Sequence, residues 1–161
     1  MQRMEVLIVG LLIGAIGLVS GLSVMGARAR LRDVTRLAHV RELQMGLEFS
    51  FANRGTYPVV TTPIALGEAR TICLSANGFN PPCGENEVPY IEFVPAPPSA
   101  GLSGKAACDG VRNGYCYASD GESFRITFEL EKANRQLGLP KGANCATENG
   151  ITPGVCQAFA Q

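Results

Sequence analysis

From Val6 to Ala27 the chain runs for 22 residues without an Asp, Glu, Lys or Arg. As continuous helix such a run would be about 33 Å long, the thickness of a bilayer's hydrocarbon core. A stretch of this kind can be a secretory signal peptide, a permanent membrane anchor, or a helix that sits first in lipid and later in a protein assembly. Ala27-Arg28-Ala29 has the small-x-small form of a signal cleavage site. The run is, however, longer than an ordinary signal core, and its flank, Met1-Gln2-Arg3-Met4-Glu5, is not clearly basic. Gly10, Gly14, Gly17 and Gly21 add two small-xxx-small spacings, which let helix backbones approach closely. The plainer reading is that glycine is common in membrane helices. Close packing is the expectation here, because each glycine also weakens a helix by about 1 kcal/mol.

Beyond the run the pattern changes. Leu37, Val40, Leu43, Leu47 and Phe51 fall on one helical stripe, while Arg32, Asp33, Arg36, Arg41, Glu42 and Glu48 occupy the other faces. The economical expectation is one helix of about 50 residues, apolar all round in its first half and amphipathic in its second. Asn53-Arg54-Gly55 ends it, with Gly55 as a left-handed cap and Pro58 preventing continuation.

The rest of the chain reads as a head. An irregular stretch punctuated by Pro58, Pro63, Pro81, Pro82, Pro95, Pro97 and Pro98 holds one short strand candidate, Tyr90 to Val94. The clearest strand is Phe124 to Leu130, where Phe124, Ile126, Phe128 and Leu130 alternate with Arg125, Thr127 and Glu129. Period two predicts one buried face and one wet face. Tyr115 to Ala118 precedes it across Ser119-Asp120-Gly121-Glu122, and the Asp-Gly step predicts a hairpin. The expected fold class is therefore α+β: a long N-terminal helix whose second half packs on an antiparallel sheet in a loop-rich head. Three regions follow: an apolar helix over 1–27, its amphipathic continuation over 28–55, and a globular head over 56–161.

Composition narrows the function classes. The 161 residues carry 14 Lys+Arg against 14 Asp+Glu, so bulk electrostatics makes no case for nucleic-acid binding. With a single histidine, His39, neither a His-based metal site nor a Ser-His-Asp arrangement is expected. No glycine-rich phosphate loop follows a strand. The chain is expected to be no enzyme and to need no cofactor or metal. Ser119-Asp120-Gly121-Glu122 offers oxygen ligands for Ca²⁺, but a tight turn explains the same residues without an ion. His39 lies on the polar side of the helix, and Phe49, Phe51 and Tyr57 near its end read as core packing.

All six cysteines lie in the head, with no CxxC among them. An even count behind an apolar segment points to an oxidising compartment and a disulfide framework. Fifteen pairings are formally possible. Near neighbours are favoured, Cys73-Cys83, Cys108-Cys116 and Cys145-Cys156, because each closes a short loop rich in Gly, Asn or Pro. Each would stabilise the head by about 2 to 3 kcal/mol.

Glu5 is the costly residue, a carboxylate immediately before the apolar run. Near a helix start the dipole favours it, and it can simply face lipid headgroups. Alternatively, when the apolar helix enters a protein bundle, Glu5 meets a cation there, such as the free amino terminus of a neighbouring chain.

Met4-Glu5-Val6-Leu7-Ile8-Val9-Gly10-Leu11-Leu12-Ile13-Gly14 resembles the start of a mature type IV pilin or type II secretion pseudopilin. Ala29 to Gln44, then Gly46-Leu47-Glu48-Phe49 and Gly55-Thr56-Tyr57-Pro58, resemble the same family's junction between helix and head. The likeness covers residues 1–58, is loose over Tyr115 to Leu130, and fades elsewhere. It implies that Met1 is the first residue left by prepilin peptidase, often N-methylated, and that Glu5 pairs with the amino terminus of an adjacent subunit. It further implies an inner-membrane protein that the pilus assembly machinery builds into an extracellular helical homopolymer, with helices as core and heads as surface. Two departures stand out. The family often has Phe where this chain has Met1, and many members have a proline where this chain has Leu22, so local helix melting would rely on Gly14, Gly17 and Gly21. The expected function is the major subunit of a type IV pilus, with family roles in adhesion, twitching motility and DNA uptake. The alternatives are a pseudopilin of type II secretion and, in another class, a signal-anchored, disulfide-rich surface binding domain.

Charge is partitioned in a way compatible with self-assembly. Residues 28–42 carry five Arg against Asp33 and Glu42, net +3, and residues 56–161 carry seven cations against ten anions, net −3. Ordinary surface charge accounts for it equally well.

Overall fold

A computed structural model of the chain describes residues 2–81, 83–84, 87–98, 100–157 and 159; within the helix it describes the side chains of residues 4, 7–17 and 23–54. The helical element α1 runs Gln2–Arg54. It ends where Gly55 takes a left-handed φ of 74° and donates its N–H to the Phe51 carbonyl at 2.7 Å. Ten strands follow: β1 Val60–Leu66, β2 Cys73–Ser75, β3 Gly78–Asn80, β4 Pro89–Ile91, β5 Ala107–Cys108, β6 Val111–Arg112, β7 Tyr115–Ser119, β8 Phe124–Leu130, β9 Gly142–Thr147 and β10 Gly150–Pro153. They form a five-stranded sheet in the order β1-β7-β8-β9-β10, a three-stranded sheet β3-β2-β4 and the pair β5-β6, with antiparallel pairing throughout.

The expected fold class is corrected. In place of a long apolar N-terminal helix, α1 presents two stretches of described side chains, 7–17 and 23–54, within a mixed α+β chain. Among the described residues no helix is long and apolar enough to cross a membrane. The physical reason is charge. The second stretch carries Arg28, Arg30, Arg32 and Asp33 within its first turns.

The core lies between the second stretch and the large sheet. β8 turns Phe124, Ile126, Phe128 and Leu130 toward Leu37, Val40, Leu43 and Leu47, and all eight are buried. Fully burying side chains of this size stabilises by about 1.5–3 kcal/mol each. Gly46 lets the helix close on β4, because a Cβ there would run into the Ile91 side chain. Tyr57 and Phe51 extend this core past the helix end, with ring centroids 4.6 Å apart. Phe49, expected beside them, is exposed instead and meets the Tyr90 ring edge-on, with centroids 5.5 Å apart.

Asp120 closes the β7–β8 hairpin. Its carboxylate accepts from the Glu122 and Ser123 backbone N–H groups at 3.0 and 2.8 Å, the work of a turn residue. The short strand expected over Tyr90 to Val94 is displaced to Pro89–Ile91. The stretch read as irregular also holds β1, whose Pro63 is tolerated because β1 is the sheet edge.

The outer face of the large sheet is less wet than alternation predicts. Glu129 is buried, its carboxylate accepting from the Ser103 N–H at 3.0 Å, the Ser103 hydroxyl at 2.5 Å and the Ala106 N–H at 2.7 Å. Three disulfides join Cys73 to Cys83, Cys108 to Cys116 and Cys145 to Cys156, with Cα separations of 5.4, 5.8 and 5.0 Å.

Candidate functional site

Residues 7–17 build a surface that the single chain leaves uncovered. Leu7, Ile8, Leu11, Leu12, Ile13 and Ile16 are each more than half exposed, Leu11 to 75%. Such contiguous apolar exposure marks a surface meant to be covered by something else. Gly10, Gly14 and Gly17 recur at helical spacing on one face, and a Cβ at any of them would meet no atom within 4 Å. Among the described residues, no part of the head packs on these glycines. Met1 lies outside the described residues, as do the surroundings of Glu5 and Gly21 within the helix.

Where the helix meets the head, charge is buried rather than displayed. Arg36, which helical periodicity places on a polar face, is 0% exposed. Its Nη1 donates to Asp33 at 2.7 Å and to Glu131 at 2.8 Å, its Nε to the Pro98 carbonyl at 2.9 Å, and its Nη2 to the carbonyls of Pro98 and, at 2.8 Å, Ala100. Arg32 grips the same Glu131 with two parallel bonds of 2.6 and 2.7 Å. Asp33 in turn accepts from the backbone N–H groups of Glu131 and Lys132, both at 2.8 Å. Two arginines thus balance two carboxylates, and each lies within reach of the end of β8. The Arg32 hydrogen bond, helped by Arg36 and opposed by burial, draws the Glu131 carboxyl down to about 2.

This cluster consumes part of the charge partition seen in the sequence. Arg32, Arg36 and Asp33 are committed inside the chain, which leaves Arg28, Arg30 and Arg41 as exposed cations of the basic segment. His39 is half-buried, its Nδ1 3.2 Å from the Tyr115 hydroxyl, and burial holds its pKa below the ordinary value. A second exposed apolar patch joins Met45 and Phe49 of the helix to Phe93 beyond β4. Among the described residues no group of three or more His, Cys, Asp or Glu is placed to hold a metal ion.

No protein-family model matches the chain, and comparison with curated proteins and with solved structures finds no match. Sequence reasoning missed the Arg32/Asp33/Arg36/Glu131 cluster. The one available signal was the i,i+3 spacing of Asp33 and Arg36, which surface helices show as often as buried ones.

Proposed function

We propose that the chain is a structural subunit of an extracellular filament of the type IV pilus kind, polymerising through the apolar surface of residues 7–17. The observation that carries the reading is the bareness of that surface in a chain whose helix buries Leu37, Val40, Leu43 and Leu47 further along. Water is a poor neighbour for so many adjacent Leu and Ile side chains, and copies of the same surface can cover one another. Gly10, Gly14 and Gly17 allow a close approach because nothing within the chain fills the space beside them. The disulfide-bonded head supports the reading as well, since covalent staples suit a domain displayed outside the cell. The clamp of Arg32 and Arg36 on Glu131 would carry load from a filament core into the head. The resemblance of residues 1–58 to pilins gives Glu5 its part in the proposal, pairing with the amino terminus of the next subunit.

Negative-stain microscopy of sheared surface material is the test. Long fibres containing this chain are expected, and Leu11→Glu should abolish them by placing a charge in the packed surface. Glu5→Gln should lower fibre yield while the head keeps its three disulfides. Surface-displayed chain without fibres would sink the reading and return the pseudopilin and the anchored binding domain.

A further inference from the structure

We propose that the outer face of the β7–β8 ladder, together with the C-terminal segment that crosses it, forms a binding site for a small carboxylate with an apolar body, held by Arg125 and Lys105. The site does not rest on the filament reading. A cavity of about 330 Å³ lies there, at the small end of ligand-site sizes.

Register builds it. Thr127 stands between Cys116 on β7 and Cys145 on β9, and Arg125 stands opposite Ala118. Opposed residues of an antiparallel ladder share a face, so both half-cystines project outward beside Thr127. Cys116 reaches Cys108 and fixes the 105–108 segment as one wall. Cys145 reaches Cys156 and fixes Val155 to Gln157 as the other. A cleft between two covalently anchored walls is preformed, which lowers the cost of binding.

The lining is apolar apart from one sign of charge. Pro63, Ala118, Val155 and the Phe159 ring supply apolar surface, while Arg125 and Lys105 supply two cations, and among the described residues no Asp or Glu lines the cavity. The carboxylate nearest along the strand, Glu129, is already engaged by Ser103 and Ala106. Among the described residues Arg125 has no ion-pair or side-chain hydrogen-bond partner; its Nη1 is shielded from solvent without an acceptor among them, and the Phe159 ring covers the guanidinium at 4.0 Å. A shielded N–H lacking an acceptor is an unmet demand that a planar carboxylate satisfies, and the aromatic cover suits an apolar body beside it. Thr127 adds a hydroxyl on the same face.

The test uses the full chain in a nonionic detergent, titrated calorimetrically with benzoate and, separately, with benzamide as its uncharged counterpart. Saturable one-to-one binding of benzoate is expected, weaker by about tenfold for benzamide. Arg125→Gln should weaken benzoate by about tenfold, Lys105→Gln by less, and Arg41→Gln, an exposed cation of the helix that does not line the cavity, not at all. Replacing Cys145 and Cys156 by Ser frees one wall and should also weaken binding, while Cys73-Cys83 and Cys108-Cys116 report that the head is intact. Absence of saturable binding, equal affinity for benzamide, or equal losses from Arg41→Gln and Arg125→Gln would each overturn the proposal.

Discussion

Leu11 and Leu43 belong to the same helical element and meet opposite surroundings: Leu11 is 75% exposed, whereas Leu43 is fully buried against the large sheet. The stretch around Leu43 has an alternating strand opposite it, and β8 supplies Phe124, Ile126 and Phe128 at the spacing the helix stripe requires. The stretch around Leu11 has no such partner among the described residues. Apolar content is higher where burial is lower. Burial therefore follows from the presence of a complementary surface, and the apolar stretch lacking one within the chain is where an external partner is to be sought. A second contrast lies in the polar groups: Arg36 and Asp33, formally on the wet side of the helix, are more buried than any side chain of residues 7–17.

Several substitutions can break or sharpen this comparison, each read by urea unfolding followed through tyrosine fluorescence. Arg36→Ala should cost the most, about 3–5 kcal/mol, because Asp33 and Glu131 are left buried without one of their cations. A loss below about 1 kcal/mol would mean that water or Arg32 replaces it and that the buried clamp is not what holds helix to head. Leu43→Ala should follow at about 2–5 kcal/mol, the cost of a cavity at a site the sheet closes on every side. Replacing Cys108 and Cys116 together by Ser should cost about 2–3 kcal/mol through the freed unfolded chain.

Acid gives a subtler separation of the two stretches. Glu131 is held at about 2 against an ordinary 4.5, so the folded state prefers its ionised form more strongly than the unfolded chain does. Its stabilisation is complete above pH 4.5 and drains away as pH falls toward 2. The difference in unfolding free energy between the wild-type chain and Glu131→Gln should therefore shrink across that window and stay flat between pH 5 and 7. Asp120 and Glu129, also held below their ordinary values, titrate in both proteins and cancel in the difference. A difference that stays constant down to pH 2 would detach Glu131 from its arginines. The smallest effect belongs to Leu11→Ala, expected within about 0.5 kcal/mol of the wild-type head stability. A larger loss would show that residues 7–17 are covered by the chain itself, and the comparison would collapse.

Particular residues show how far sequence pattern reaches. Phe124 to Leu130 announces a strand because its apolar side chains recur every second residue, and β8 has those bounds. Gly55 announces the helix end because a left-handed cap suits glycine, and it has that conformation. β9 was invisible: Gly142-Ala143-Asn144-Cys145-Ala146-Thr147 has small side chains and little alternation, and it is a strand because it pairs with β8 across register positions such as Thr127 with Cys145. Arg125 and Glu129 read alike as wet-face residues. Glu129 is engaged by residues 103–106, while Arg125 lines a cleft that two disulfides frame.

Local chemistry, readable from neighbours in sequence, determined the hairpin at Asp120-Gly121, the alternation of β8, the stop at Gly55 and the short loops that the three disulfides close. Each depends on backbone preference or side-chain period within about ten residues. Tertiary structure alone decided which charges are buried, which apolar residues stay bare and where a cleft remains. The bond from Arg36 to Glu131 spans 95 residues, and that from Arg32 spans 99. At such separations a charge's partner is set by how helix and sheet dock, and the free energy of burying it depends on that partner rather than on its neighbours in sequence.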